Sequence, residues 1–358
     1  MNRKNNRISR RQMLKMLGLG TMASLFPGIA VSKSVDPQNE GPDQTIHQGV
    51  YRKNTDQAKV SLIKGNDRRD NTFKALKNIE DEVMASLEGK KRILVKPNFV
   101  STTTPLSATH VDAVRGILDF LKPRWNGEIV VGESTASGNG TMTGFKNYNY
   151  LPLEKEYGVT FRDLNEGSTV TRYMLGPDNA PVPVPIISSF LDKDQYIISA
   201  AKMKTHDRAL VTLALKNVLL AAPLHDYKKH NYKHDTHITK ERSKHTILHY
   251  NMFSLAREIY PDLGVIDGFE AMEGNGPMGG TPVDARVALA SLDSLALDSL
   301  TTKIMGFDPG EVLYLSSMNK AGMGQGDLDK IQTLGTDLNK VQYHFRPHER
   351  MVEPYGLG

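Results

Sequence analysis

The chain has 358 residues, 45 of them Lys or Arg against 40 Asp or Glu, for a formal net charge of +5, and it has no cysteine. Without cysteine, disulfides, a thiolate nucleophile, thiolate-ligated iron–sulfur clusters and a lipid-anchored cysteine are excluded, and any metal must take His or oxygen ligands. The basic excess sits in the first 32 residues, which hold Arg3, Lys4, Arg7, Arg10, Arg11 and Lys15 and no acid; the remainder carries 39 basic against 40 acidic residues, which argues against nucleic acid as a partner.

In chain order, Ser9-Arg10-Arg11-Gln12-Met13-Leu14-Lys15 runs straight into an apolar stretch from Met16 to Ala30. This reads as a twin-arginine leader, with Met13 where Phe is more usual. The stretch is too short and too weakly flanked to span a bilayer. Residues 1–32 are therefore expected to be a removable signal. Its partner is the twin-arginine translocation machinery, its destination is the periplasm, and the mature chain has no membrane span. Gly18-Leu19-Gly20-Thr21-Met22-Ala23 imitates a dinucleotide fingerprint, but no strand precedes it. Residues 33–57 are polar, without apolar periodicity, and read as a flexible linker.

Ordered structure is expected from Val60-Ser61-Leu62-Ile63, opening a single α/β domain over 58–358. A helix is expected over Asn71–Leu87, with Asn71 as its cap. Further helices are expected over His110–Leu121, Thr246–Tyr260, Leu295–Met305 and Glu311–Ala321. The strands expected are Ile93–Val95, Ile129–Val131, Tyr196–Ala201, Leu263–Ile266 and Val287–Ser291. Continuous apolar strands alternating with helices define an α/β fold, a mostly parallel or mixed sheet with helices on both faces. Gly176–Pro185 contains Pro177, Pro181, Pro183 and Pro185 and reads as an edge or a loop.

Each strand ends in a polar motif: Lys96-Pro97-Asn98, Gly132-Glu133-Ser134, Lys202-Met203-Lys204-Thr205-His206, Asp267 to Pro277, and Leu292-Asp293. In open α/β sheets ligands bind beyond the carboxyl ends of the strands, so parallel strands would bring these motifs to one rim. Lys202, Lys204 and His206 alternate and would face the same way. They form either an anion clamp with a lysine poised as a base, or a strand end fraying into solvent. Lys216-Asn217 interrupts an apolar run; the lysine must pair, snorkel or face a cavity. Asp267, Glu270 and Glu273 recur every third residue, which on a helical turn gives one face. Gly274, Asn275, Gly276 and Pro277 then break it. Such a cluster would hold a divalent cation or neutralise lysines opposite. Asp293 serves either the rim or the N-cap of the helix after it, and Asp298, one turn in, faces the rim or water.

The Gly132–Gly140 loop is rich in Gly and hydroxyls and could cradle a phosphate or carboxylate, without the lysine of a P-loop. Residues 225–249 hold His225, His230, His234, His237, His245 and His249, interleaved with Lys228, Lys229, Lys233, Lys240 and Lys244. The His spacing suits a metal; the lysines would repel one, which favours a polar lid or insertion. His225 and His249, at its ends, are the two expected to reach the crevice.

Together with Ala296-Leu297-Asp298 and Gly322-Met323-Gly324, the run of motifs from Val95-Lys96-Pro97-Asn98 onward resembles the domain of unknown function 362, over about residues 90–326. The Lys-Met-Lys-Thr-His and Met-Glu-Gly-Asn-Gly-Pro runs are its most specific parts. Relatives labelled iron–sulfur centre proteins carry a ferredoxin-like domain, and a chain without cysteine cannot share that label. The resemblance implies one domain and one shared site, and no particular chemistry.

The expectation is therefore an exported enzyme acting on a small anionic ligand, a carboxylate or phosphate. Lys204, His206, Glu273 and Asp267 would be catalytic. Lys96, Asn98, Glu133, Lys202, Lys216, Asn217 and Asn275 would bind substrate. A divalent metal would draw on Asp267, Glu270, Glu273, Asp293, His225 and His249. Isomerase- or racemase-like proton abstraction and metal-assisted hydrolysis both suit this set. A periplasmic binding protein would use the same clamp without turnover, and a redox partner would hold an organic cofactor.

Overall fold

The computed structural model describes residues 57–237 and 247–357. The leader, nearly all of the linker and His245 lie outside the described residues.

The described residues form fourteen strands: β1 (Ala58–Lys64), β2 (Arg92–Lys96), β3 (Glu128–Glu133), β4 (Thr160–Asp163), β5 (Thr169–Leu175), β6 (Pro181–Ile187), β7 (Gln195–His206), β8 (Leu210–Thr212), β9 (His225–Asp226), β10 (His230–Asn231), β11 (Leu263–Glu273), β12 (Thr281–Val283), β13 (Val287–Ser291) and β14 (Ile331–Gly335). The main sheet runs β14-β1-β13-β11-β7-β2-β3-β4, with β12 on β11 and β8 on β7. The strands β11, β7, β2, β3 and β4 are mutually parallel. β13 runs antiparallel to both neighbours, β1 and β11.

The sheet is apolar on both faces, and its side chains sort by the two-residue period of a strand. Ile93, Val95, Ile129, Val131, Tyr196, Ile198 and Val265 join one core, with Leu76, Val114 and Ile117 from the helices Arg68–Lys77 and Val111–Leu121. Leu94, Val130, Ile197, Ala201 and Ile266 join the other, with Leu215, Leu219 and Leu297 from Ala214–Leu219 and Ser294–Ile304. Helices thus cover both faces of a mixed α/β sheet.

Two expectations change, and the proline-rich stretch resolves as an edge. The stretch Asn71–Leu87 is two helices, Arg68–Lys77 and Glu80–Ser86, and Asp67 caps the first by accepting from the Asp70 N–H. Asn71 is interior and buried, its amide donating to the Gly65 and Arg286 carbonyls. The proline-rich stretch forms β6, paired antiparallel with β5 in a separate two-stranded ribbon. The Ile187 N–H points away from β5, to the Ala222 carbonyl. By alternation the nitrogens of Pro181, Pro183 and Pro185 point the same way, so no ladder bond to β5 is lost. Finally, Asp267–Glu273 is strand, so these carboxylates do not share a helical face.

Of the expected lid, residues 225–237 form the β9–β10 ladder and the short helix Tyr232–Asp235, and a nine-residue helix, Ile247–Leu255, starts beyond the undescribed stretch. Among the described residues no helix is long and apolar enough to cross a membrane.

Candidate functional site

The parallel strands deliver Lys96, Glu133, Lys202, Lys204, His206 and Asp267 to one rim, and the helix Ala214–Leu219 lays Lys216 and Asn217 over it. The lysines do not follow β7, as the sequence suggests; they lie inside it. Neighbouring strands bury them from both sides. Two added hairpins lengthen the rim there: β8 pairs with Lys204–His206, and β12 with Ala271–Glu273. Between the pairs Asp267–Lys202 and Met272–Lys204, β11 spends four residues against one on β7, and the bulge leaves Glu270 exposed.

Lys96 is enclosed in a satisfied network. Its Nζ donates to Glu133 Oε2 (2.9 Å), Asn217 Oδ1 (2.8 Å) and the Pro97 carbonyl (2.8 Å). Glu133 also accepts from the Phe99 and Ser134 N–H groups. Asn98 Nδ2 donates to Asn217 Oδ1 (3.0 Å), and Asn217 Nδ2 donates to the Lys96 carbonyl and Ser199 Oγ. Lys202 lies 3.7 Å from Asp267 Oδ2, whose Oδ1 meets Arg68 Nε at 3.2 Å and whose Oδ2 accepts the His110 N–H at 3.0 Å. Burial raises the Asp267 carboxyl, but Lys202 and Arg68 outweigh it and hold the group below the usual range.

Lys204 and Lys216 differ in kind. Among the described residues the side chain of the fully buried Lys204 makes one bond, to the Ser107 carbonyl (2.5 Å), and no ion pair. The side chain of Lys216, a residue 8% exposed, makes neither a hydrogen bond nor an ion pair among the described residues. Burial lowers both. Lys204 is driven well below an ordinary lysine, with Lys216 and Lys202 adding to the effect. Lys216 is brought down to about 8, Asp207 opposing the fall. His206 is likewise pushed far down by burial and then by Lys216. Its Nδ1 accepts from the Arg208 N–H (3.1 Å), which puts the proton of the neutral ring on Nε2.

Lys233 was not marked by the sequence as a site residue. It is buried, and its Nζ donates to Ser134 Oγ and to the Ala221 and Pro223 carbonyls; burial brings it down to about 7. Nothing local distinguishes it from the solvated lysines around it. The rim therefore carries five buried lysines (96, 202, 204, 216, 233) against two buried carboxylates, Glu133 and Asp267.

Other expected residues fall elsewhere. Because β13 runs against its neighbours, Ser291 lies beside Gly264 at the amino end of β11, which carries Asp293 to the opposite rim. There Asp293 caps Ser294–Ile304, accepting from the Leu295, Ala296 and Gln325 N–H groups. Asp298 accepts from the Ala214 (2.8 Å) and Leu215 (2.9 Å) N–H groups, anchoring the start of the helix that bears Lys216; burial brings its carboxyl up to about 8. Glu273 is paired with Arg346, Oε1 to Nε at 2.7 Å, and Asn275 accepts from the Glu349 N–H. Gly274 adopts φ +74, and a Cβ on Gly276 would meet the Thr205 carbonyl at 2.2 Å, so only glycine lets this turn lie on β7. His249 is buried and stacks on Tyr314, and His225 Nδ1 meets the Thr135 carbonyl at 3.2 Å. The six residues expected as a metal set do not converge: among the described residues no three His, Asp or Glu side chains are placed to hold an ion.

An open cleft of about 300 Å³ lies beside His110, lined also by Pro105, Thr109, Arg115, Tyr148 and Asn149; none of the five lysines reaches it.

A mixed α/β sheet ending in buried, under-compensated lysines is the class of protein this geometry defines. The chain belongs to the family described as domain of unknown function (DUF362), whose model matches residues 93–303. It is 26% identical over 234 residues to a thylakoid-associated protein (sll1697) of Synechocystis sp., covering 65% of this chain and 68% of that one. A crystal structure of a Thermotoga maritima protein is 12% identical with a TM-score of 0.37, covering 73% of this chain; the chain spans 59% of that protein's length.

Proposed function

We propose that the lysine rim binds a small anion, a carboxylate or a phosphate, and moves a proton on it, in a protein exported to the periplasm. One observation carries the reading: among the described residues the Lys216 ammonium is buried without hydrogen bond or ion pair, in a rim with five buried lysines against two buried carboxylates. A buried, uncompensated ammonium costs several kcal/mol, so the site either sheds protons or takes up an anion. Lys96 and Lys202 are already matched with Glu133 and Asp267. Lys204 and Lys216 are left to receive the ligand, and an amine of lowered pKa is suited to take a proton next to a carboxylate. His206, protonated on Nε2, serves as a donor. Glu273, engaged with Arg346, stays outside this reading, and so does a divalent metal.

The test is calorimetric titration of phosphate and lactate into the full chain. Lys204→Ala and Lys216→Met should each weaken binding by at least about tenfold, or 1.4 kcal/mol. If wild type takes up neither anion, or both variants bind as well as wild type, the reading fails. Mass spectrometry of protein purified after native export identifies a retained ligand; one returned unchanged on prolonged incubation marks a binding protein without turnover.

A further inference from the structure

We propose that Lys216 forms an imine with the carbonyl carbon of a small 2-oxo acid whose carboxylate is held by Lys204 Nζ. This rests on the anion site proposed above and names its substrate class.

The two amines are built for different tasks. Lys204 is fully buried and oriented by the Ser107 carbonyl, so its Nζ is a fixed donor with N–H groups to spare, and a carboxylate seated on it would supply the counter-charge that burial denies it. The Lys216 side chain is unbonded among the described residues and keeps a small opening to solvent, which is what a nucleophile needs. Its backbone is held on both sides. Asp298 binds the Ala214 and Leu215 N–H groups, and Asn217, the next residue, is tied to Lys96, Asn98 and Ser199. Only the Lys216 side chain is left to move. At pKa about 8, roughly one molecule in ten carries it as the free amine at pH 7.

The step balances within the site. The Nζ lone pair adds to the carbonyl carbon and the C=O π pair moves to oxygen, stabilised by the His206 Nε2–H. The two amine protons leave with that oxygen as water, and a C=N bond joins substrate to Lys216. The C=N bond then accepts the electron pair of a C–H bond on C3, easing loss of a proton there to give an enamine.

The experiment incubates the full chain with pyruvate and sodium borohydride and reads intact and peptide masses. One reduced adduct per chain, mapped to Lys216, is expected. Lys216→Met should carry none while keeping the wild-type circular dichroism. Lys204→Met should still be labelled at Lys216, but need at least about tenfold more pyruvate. Lactate, which has no carbonyl, should suppress labelling. An adduct on another lysine, or none in a protein that binds lactate by calorimetry, overturns the imine and leaves the anion site standing. Neither adduct nor lactate binding overturns both.

Discussion

A buried amine without a hydrogen bond or ion pair among the described residues leaves a signature in stability. Lys216 holds its proton to pH 10.5 when unfolded and to about 8 in the fold. Between those values the unfolded chain binds a proton that the native chain does not, so stability of the ligand-free protein rises with pH across this window. The gain from this residue is about 3 kcal/mol at 1.36 kcal/mol per unit. Urea titrations at pH 7.5 and 10 should therefore show Lys216→Met with a smaller rise than wild type, and with the higher stability at pH 7.5. A rise unchanged in the variant would mean that Lys216 is not strained by its charge. The opposite case is Glu133. Its charge is matched by Lys96 and two backbone N–H groups. Glu133→Gln leaves Lys96 charged and unmatched, and should cost about 3–5 kcal/mol, read as a lower urea midpoint.

At the scale of elements, Asp298 does for the Lys216 helix what Asp293 does for its own. Both carboxylates accept backbone N–H groups at helix starts, but Asp298 does so from another helix, 83 to 84 residues away in sequence. Asp298→Asn turns one acceptor into a donor facing an N–H. A loss of about 1–3 kcal/mol is expected, with weaker anion binding as Lys216 loses its support; calorimetry and urea unfolding check the two effects. This link could not be read from the sequence, where Asp293 and Asp298 both look like candidates for the rim. The strand cores could, because Ile93–Val95 or Leu263–Ile266 are apolar on both sides and only a two-sided sheet buries them. What failed were the ends. Lys202 to His206 and Asp267 to Glu273 look like the close of a strand because they are polar. They stay in the ladder because neighbouring strands and hairpins surround them. The direction of β13, which sends Asp293 to the far rim, leaves no local mark.

For the molecule as a whole, the sequence placed Lys96, Glu133, Lys202, Lys204 and Asp267 in one region, through the rule that parallel strands share a carboxyl edge. Glu273 and Asn275 went astray because Gly274, Gly276 and Pro277 serve packing: they fold the turn down on Thr205 and fasten the segment carrying Arg346 and Glu349. Gly276→Ala, driving a methyl into the Thr205 carbonyl, should cost about 1–3 kcal/mol by urea unfolding and disturb β7 directly beside the lysines. Export belongs to this scale too. With Arg10 and Arg11 both changed to Lys, the full chain should remain in the cytoplasm of a host with an active twin-arginine route, by fractionation; unchanged export would remove the basis for a periplasmic assignment. The β5–β6 ribbon carries one more consequence. Along its flank away from β5, positions 181 and 183 present ring carbons where amide hydrogens would stand, and the flank at 185 to 187 is already bonded to Ala222 and Leu224. A foreign chain laid there finds no donors to zip onto, so this ribbon is a poor seed for fibrils or runaway stacking of copies.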